Sequence, residues 1–334
     1  MRISVLGAGT WGTALAILLS NNGQEVTLWS ALAKEVENLN NNRKQIANLP
    51  EAKLPDSVKV TDDLSLALND PELIVFAVAS PYVRSTAKQV ASFIKDNTVI
   101  VNVGKGIEET TLMTLTEIIS EEIPHADVAV LSGPSHAEEV SRGIPTSCVV
   151  GASSKKTASM IQDAFMNEYF RVYTSPDIMG IELGGSLKNV IALAAGIADG
   201  LGFGDNTKAA LMTRGIAEIS RLGIKMGGKL ETFSGLSGVG DLFVTCTSKH
   251  SRNRNAGYLI GKGYTMQEAM EEVKQVVEGV YCAKAALALS KKYNVSMPIV
   301  EQINKVLFED KSAKDAVTDL LMRDKTMEHS SLEW

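Results

Sequence analysis

Cysteine is scarce: Cys148, Cys246 and Cys282 are the only three in 334 residues. An odd, scattered set without metal-type spacing excludes a disulfide-stapled scaffold and predicts reduced thiols in a cytoplasmic protein. The four histidines, His125, His136, His250 and His329, lack ligand spacing as well, so no metal is expected. Basic charge is not in excess: Lys and Arg number 33 against 39 Asp and Glu, a net charge of −6. That excludes a general nucleic-acid binder, which needs a basic field, but leaves room for a local pocket for a small anion. No apolar run reaches the roughly 18 residues of a membrane span, so no integral membrane association is expected. The apolar N-terminal stretch is broken early by Gly7, Gly9 and Gly12, which predicts a strand and tight turn rather than a leader peptide. Proline nearly vanishes from the second half, where Pro298 alone follows Pro176. The first half is therefore expected to be loop-rich and the second mostly helical.

Hydrophobic residues make up 45% of the chain, enough for a sizeable core, and the length fits about two domains. Short apolar runs at Ile3–Leu6, Glu25–Trp29, Leu73–Val78, Thr98–Val103, Val128–Leu131 and Ser147–Val150 read as strands. Most carry apolar residues at consecutive positions, the pattern of strands buried on both faces. A helix-length segment, Trp11–Asn22, joins the first two. The alternation predicts a doubly wound, Rossmann-type parallel sheet over residues 1–176. The Asn-rich segment Asn38–Pro55 reads as a loop. An all-α unit is expected over 177–334, with helices at Glu182–Asp199, Lys208–Leu222, Met266–Lys274, Cys282–Tyr293 and Pro298–Phe308. The cluster Asp205-Asn206-Thr207 offers an N-cap for the second of these, and a polar, frayed end is expected from Asp324 to Trp334.

Gly7-Ala8-Gly9-Thr10-Trp11-Gly12 is a GxGxxG that follows a strand and opens a helix. The first glycine permits a tight turn, the second lets the backbone approach a pyrophosphate, and the third lets helix and sheet pack closely. A dinucleotide cofactor is therefore expected. The second strand ends Leu28-Trp29-Ser30-Ala31, without the carboxylate that binds the ribose of NAD. Lys34 is near enough to meet a 2′-phosphate. The residues lean towards NADPH and leave NADH open.

Further candidates lie at strand ends and in the helical half. Lys105, flanked by Gly104 and Gly106, closes the fourth apolar run, where ligands of doubly wound sheets bind. The turn Ser132-Gly133-Pro134-Ser135 reads equally as an anion-holding turn or a plain one. Lys188 sits in an apolar helix after Gly184, Gly185 and Ser186; a snorkelling surface lysine and a functional one both fit. The glycines before it cost helix stability and suggest close approach of something. The densest group is Gly238–Leu242, Thr245–Ser248 and Ser251-Arg252-Asn253-Arg254-Asn255. Ser, Arg and Asn side by side in a loop suit a phosphate, because a guanidinium makes paired, charge-assisted bonds to it. Without interleaved aromatics, the stretch is a poor RNA patch.

Over nearly its whole length the chain resembles the bacterial-type NAD(P)-dependent glycerol-3-phosphate dehydrogenases. The matching stretches are GAGTWGTALA, NVGKGIE, LSGPSHAEEV, GGSLKNVIALAAGIADGLGFGDNTKAALMTRG, SGVGDLFVTCTSKHSRNRNAG and QVVEGV. The resemblance implies reversible reduction of dihydroxyacetone phosphate to sn-glycerol 3-phosphate with NADH or NADPH, feeding glycerophospholipid synthesis, in a chain that can assemble as a homodimer. It implies Lys188 as the acid–base residue. It places Lys105, Gly133, Ser135, Asp241, Ser251, Arg252 and Asn253 around the substrate. Besides the glycine loop, it places Thr10, Trp11, Lys105, Ala137, Arg252, Val276 and Glu278 at the cofactor. Two departures stand out: Ala31-Leu32 where the family often has a basic residue, and Ala79-Ser80-Pro81 where it usually has proline first. The competing readings are another two-domain dehydrogenase, acting on a β-hydroxy acid or sugar acid, and a non-catalytic NAD(P)-binding redox sensor.

Overall fold

The computed structural model describes residues 1–45 and 49–328. Eight strands form one sheet: β1 (Arg2–Leu6), β2 (Glu25–Trp29), β3 (Lys59–Thr61), β4 (Leu73–Phe76), β5 (Val99–Asn102), β6 (Asp127–Ser132), β7 (Thr146–Gly151) and β8 (Phe170–Ser175). Their order is β3-β2-β1-β4-β5-β6-β7-β8. The order reverses at β1, so connections leave to both sides and helices cover both faces. These helices are α1 (Thr10–Asn21), α2 (Ala33–Asn42), α3 (Leu64–Ala67), α4 (Val83–Val90), α5 (Leu115–Glu122), α6 (Ala137–Val140) and α7 (Lys155–Phe165). β4 is buried at every residue, as its unbroken run Leu73-Ile74-Val75-Phe76 requires.

Three expectations need correction here. The sheet is mixed, because β7 runs antiparallel to β6. The link between them carries only the single-turn α6, too little to return the chain for a parallel crossover. Strands β3 and β8 are additional edge strands. The segment read as a loop from Asn38 is helical to Asn42 as the end of α2, whose inner face buries Val36 and Leu39; residues 46–48 lie outside the described residues.

The second unit is helical: α8 (Ile178–Gly200), α9 (Asp205–Lys225), α10 (Leu230–Phe233), α11 (Asp241–Thr247), α12 (Arg252–Gly261), α13 (Met266–Val273), α14 (Glu278–Lys292), α15 (Pro298–Phe308) and α16 (Ala313–Leu321). α8 is its axis, with all but three of its 23 residues buried. Contrary to expectation, α8 is long and apolar enough to cross a membrane, but 89% of its most apolar window is buried inside the protein. α12 crosses α8 at backbone contact: a Cβ on Gly196 would meet the Arg254 carbonyl oxygen at 2.0 Å, and one on Gly257 the Leu193 oxygen at 2.1 Å. α9 begins at Asp205 rather than Lys208. Its N-cap is Gly204, without a side-chain cap, so the polar cluster forms the first turn instead. Of the expected frayed end, Asp324–Glu328 is exposed and non-helical, and residues 329–334 lie outside the described residues.

A buried carboxylate, Glu182, and a half-buried one, Glu278, join the units. Glu182 of α8 accepts from Asn102 Nδ2 at 3.1 Å and from the backbone N–H and hydroxyl of Thr116. Glu278 of α14 accepts from Ser80 N at 3.1 Å and from the Ser80 hydroxyl. Burial pushes both carboxyls up from the ordinary range.

Candidate active site

The glycine loop lies at the carboxyl end of β1. Gly7 N donates to Trp29 O at 2.8 Å. Gly7 has φ +107°, and a Cβ there would meet Ala77 O at 2.6 Å, so only glycine fits. A Cβ on Gly12 would meet Gly7 O at 1.8 Å, which is how α1 packs so close to the sheet. Gly9 is the N-cap of α1 and offers no side-chain cap. A Cβ on Gly9 would meet nothing within 4 Å. The loop therefore presents a backbone-lined cradle and the free N–H groups of a 12-residue helix to open space. That fits the pyrophosphate of a dinucleotide. Thr10 and Trp11 form the first turn of α1, and Trp11 also packs against the core of the sheet unit.

The loops after β4, β5 and β6 end on the same rim and carry Ser80, Lys105 and Gly133. Lys105 Nζ donates to Gly133 O at 3.0 Å and to Asp241 Oδ2 at 2.6 Å. Gly133, at φ +143°, thus turns its carbonyl, not its N–H, towards Lys105, and the Ser135 hydroxyl donates to the same oxygen at 3.0 Å. The turn is part of the lysine cluster rather than a bare anion nest.

Asp241 opens α11 after a wide π-type turn at Leu236–Gly240. Its carboxylate, 1% exposed, also accepts from Lys188 Nζ, at 2.6 Å on Oδ1. Lys188 Nζ donates as well to Thr245 Oγ1 at 2.6 Å, and that hydroxyl donates on to Asp241 O at 2.7 Å. Lys188 is therefore a fully buried member of a polar cluster and not a snorkelling residue. Burial, aided by the Lys105 charge and opposed by Asp241, lowers its pKa to about 8. Two ammonium groups share one carboxylate, so the cluster has a surplus positive charge for an incoming oxygen. The suspected close approach at the helix glycines is made by protein: a Cβ on Gly184 would meet Ser237 O at 2.5 Å, and one on Gly185 would meet Ser132 Oγ at 2.7 Å.

The Ser-Arg-Asn stretch is the start of α12 and not a loop. Ser251 is its N-cap, the hydroxyl accepting from Arg254 N at 3.2 Å. Asn253 is a brace: its Nδ2 donates to Asn189 Oδ1 at 2.9 Å, and its Oδ1 accepts from Gly279 N at 2.8 Å. One amide thus ties α12 to the residue after Lys188 and to the residue after Glu278. Arg252 is exposed on the first turn, and among the described residues no carboxylate lies within ion-pair distance of its guanidinium. Val276 is half-buried in the loop before α14, and Ala137 is the buried first residue of α6.

Two roles escaped the sequence reading, although Thr245 lay in its densest candidate group. Thr245 bridges Lys188 to Asp241, a role that only the helical spacing from Asp241 could have suggested. His136 borders the cluster with its buried Nε2 lacking a partner. Burial, with the charges of Lys188 and Lys105, lowers its pKa to about 4, so it adds no third cation at neutral pH. The three cysteines are buried, and burial pushes each thiol up to about 12, which excludes thiolate chemistry at neutral pH.

Sequence models of the NAD-dependent glycerol-3-phosphate dehydrogenase family match here in two parts, its N-terminus over residues 2–158 and its C-terminus over residues 177–318. The glycerol-3-phosphate dehydrogenase [NAD(P)+] of Agathobacter rectalis is 61% identical over 333 residues, covering 100% of this chain and 99% of that protein. The enzyme of the same name from Fusobacterium nucleatum is 58% identical, covering 99% of each. The crystal structure of glycerol-3-phosphate dehydrogenase from Coxiella burnetii superposes with a TM-score of 0.94 at 37% identity, over 96% of this chain and 99% of that one. Neither the hydroxy-acid and sugar-acid alternative nor the non-catalytic one is favoured by these likenesses. On sequence and on fold, the chain belongs to the NAD-dependent glycerol-3-phosphate dehydrogenase family.

Proposed function

We propose that this protein reversibly reduces dihydroxyacetone phosphate to sn-glycerol 3-phosphate with a nicotinamide dinucleotide. The observation that carries the reading is the buried Lys188–Asp241–Lys105 cluster, set on the same rim of the sheet as the glycine cradle. Residues 1–176 hold the dinucleotide, and residues 177–334 carry the proton donor and the phosphate site. Gly7, Gly9, Thr10, Trp11 and Gly12 receive the pyrophosphate, and Ala137, Arg252, Val276 and Glu278 make further contacts with the cofactor. When bound, the reduced nicotinamide supplies the hydride that the carbonyl carbon receives.

Lys188, as the ammonium, polarises the carbonyl oxygen and gives it a proton as negative charge develops there. In the oxidative direction its neutral amine takes the proton from the hydroxyl group. A pKa of about 8 keeps both forms accessible near neutrality. Asp241 aims both lysines and Thr245 fixes the direction of the Lys188 ammonium. Lys105 adds charge next to the same oxygen. Arg252, on the first turn of α12, binds the phosphate where the helix N-terminus also favours an anion. Ser251 and Asn253 hold that turn in place. Phosphate binding far from the carbonyl thereby orients it against Lys188. A phosphorylated triose and three unpaired, buried thiols both suit the cytoplasm.

Loss of the near-ultraviolet absorbance of the reduced nicotinamide, across a panel of carbonyl substrates, tests the reading. Dihydroxyacetone phosphate should be preferred over hydroxy-acid precursors. Turnover with a keto acid and none with the triose phosphate would refute it.

A further inference from the structure

The strand that ends at the ribose position lacks a carboxylate of its own, but the fold delivers one. Glu35 lies in the first turn of α2, directly beyond β2. Ser30, 4% exposed at the end of that strand, donates its hydroxyl to Glu35 Oε2 at 2.5 Å and accepts from Leu32 N at 3.2 Å. Gln45 Nε2 lies 3.4 Å from Glu35 Oε1 and equally 3.4 Å from Ala8 O, inside the glycine loop. One amide therefore spans the gap between the carboxylate and the dinucleotide cradle. Ser30 follows Gly12 by 18 residues in the sequence, close to the spacing of about 20 at which an acidic residue meets the ribose hydroxyls in this fold.

The Glu35 carboxylate is not neutralised by a neighbouring cation. Among the described residues no lysine or arginine lies within ion-pair distance of it. The Arg43 guanidinium is turned away to Val58 O at 2.8 Å and to the Pro55 carbonyl. Lys34, the cation on which the lean towards NADPH rested, has an exposed side chain on the same turn of α2. A carboxylate accepts about four hydrogen bonds, so Glu35 can still receive the ribose hydroxyls. A 2′-phosphate in their place would meet a fixed negative charge that no ion pair neutralises, with only the exposed Lys34 to offset it.

We propose that Glu35, fixed by Ser30, is the acceptor for the adenosine ribose hydroxyls and makes NAD(H) the preferred dinucleotide of this protein. The proposal rests on the cofactor reading above and reverses the direction expected from the sequence.

Calorimetric titration with NAD+ and with NADP+ tests it without turnover. The unmodified protein should bind NAD+ at least tenfold more tightly than NADP+. Glu35→Gln should bring the two within about threefold, mainly by tightening NADP+. A purely structural role for Glu35 would weaken both dinucleotides alike. Ser30→Ala, which frees the carboxylate without removing it, should narrow the ratio to a lesser degree. Equal affinities in the unmodified protein, or an unchanged ratio in Glu35→Gln, would overturn the role of Glu35 and leave the cofactor reading standing. Binding of neither dinucleotide would overturn both.

Discussion

Lys188 Nζ and Asp241 Oδ1 stand 2.6 Å apart in a site from which water is largely excluded, and the other oxygen of the same carboxylate holds Lys105 at 2.6 Å. A buried ion pair of one lysine and one aspartate would be neutral and would hold its proton firmly. The second lysine changes that balance. It draws on the same carboxylate and repels the charge on Lys188, so burial prevails and the ammonium becomes a usable acid.

Replacing Lys188 by alanine removes that acid and a positive charge facing the developing oxyanion. Steady-state kinetics should show kcat lower by about 10²–10⁴-fold or more. The circular dichroism spectrum should stay that of the parent. Near-normal turnover would mean that another group moves the proton.

The pH profile follows from the lowered Lys188 pKa. Reduction needs the ammonium, so its rate should fall as pH rises through about 8. Oxidation needs the free amine, so its rate should rise over the same interval and level off above it. Lys105→Met removes a like charge and should move both limbs to higher pH. Limbs that stay in place would remove Lys188 from the titration.

Arg252→Ala should raise KM for dihydroxyacetone phosphate and also lower kcat, because phosphate binding orients the carbonyl. Unphosphorylated dihydroxyacetone should suffer far less. Equal defects for both substrates would show that Arg252 does not hold the phosphate.

What could be read from the sequence was local. Gly7, Gly9 and Gly12 announced the cradle because a turn, a strand and a helix adjoin them in the chain. Lys188 stood out as a charge in an apolar helix. What escaped was set by contacts between distant segments. The edge strand β8 alternates buried and exposed residues and so lacks the unbroken apolar run that marked the inner strands. α12 passed for a loop because its inner face is built from Ala256, Gly257 and Ile260, mostly small residues chosen for closeness to α8. Glu35 was invisible as a ribose ligand because its carboxylate reaches the end of β2 from the next helix.

Glu218 provides a test of the helical unit away from the active site. It lies in α9, 2% exposed, and accepts from Ile299 N at 2.9 Å and Val300 N at 3.4 Å. These are the first N–H groups of α15, whose own N-cap residue, Met297, offers no side-chain cap. A neighbouring helix therefore supplies the cap. Burial outweighs those hydrogen bonds and raises the Glu218 pKa to about 7 from 4.5. A carboxyl whose pKa is raised by folding stabilises the native state fully below its unfolded pKa, and that stability is lost as pH rises through the folded value. The interval is thus about pH 4.5 to 7. The full change is on the order of 3 kcal/mol, at roughly 1.4 kcal/mol for each unit of pKa. Glu218→Gln cannot ionise, and its amide oxygen can still accept one of the two N–H groups. Urea unfolding of both proteins at pH 5 and pH 8 should show the parent losing stability relative to the variant as pH rises. A difference that does not change with pH would mean that Glu218 is already ionised in the folded protein at pH 5, held by the N–H groups of α15.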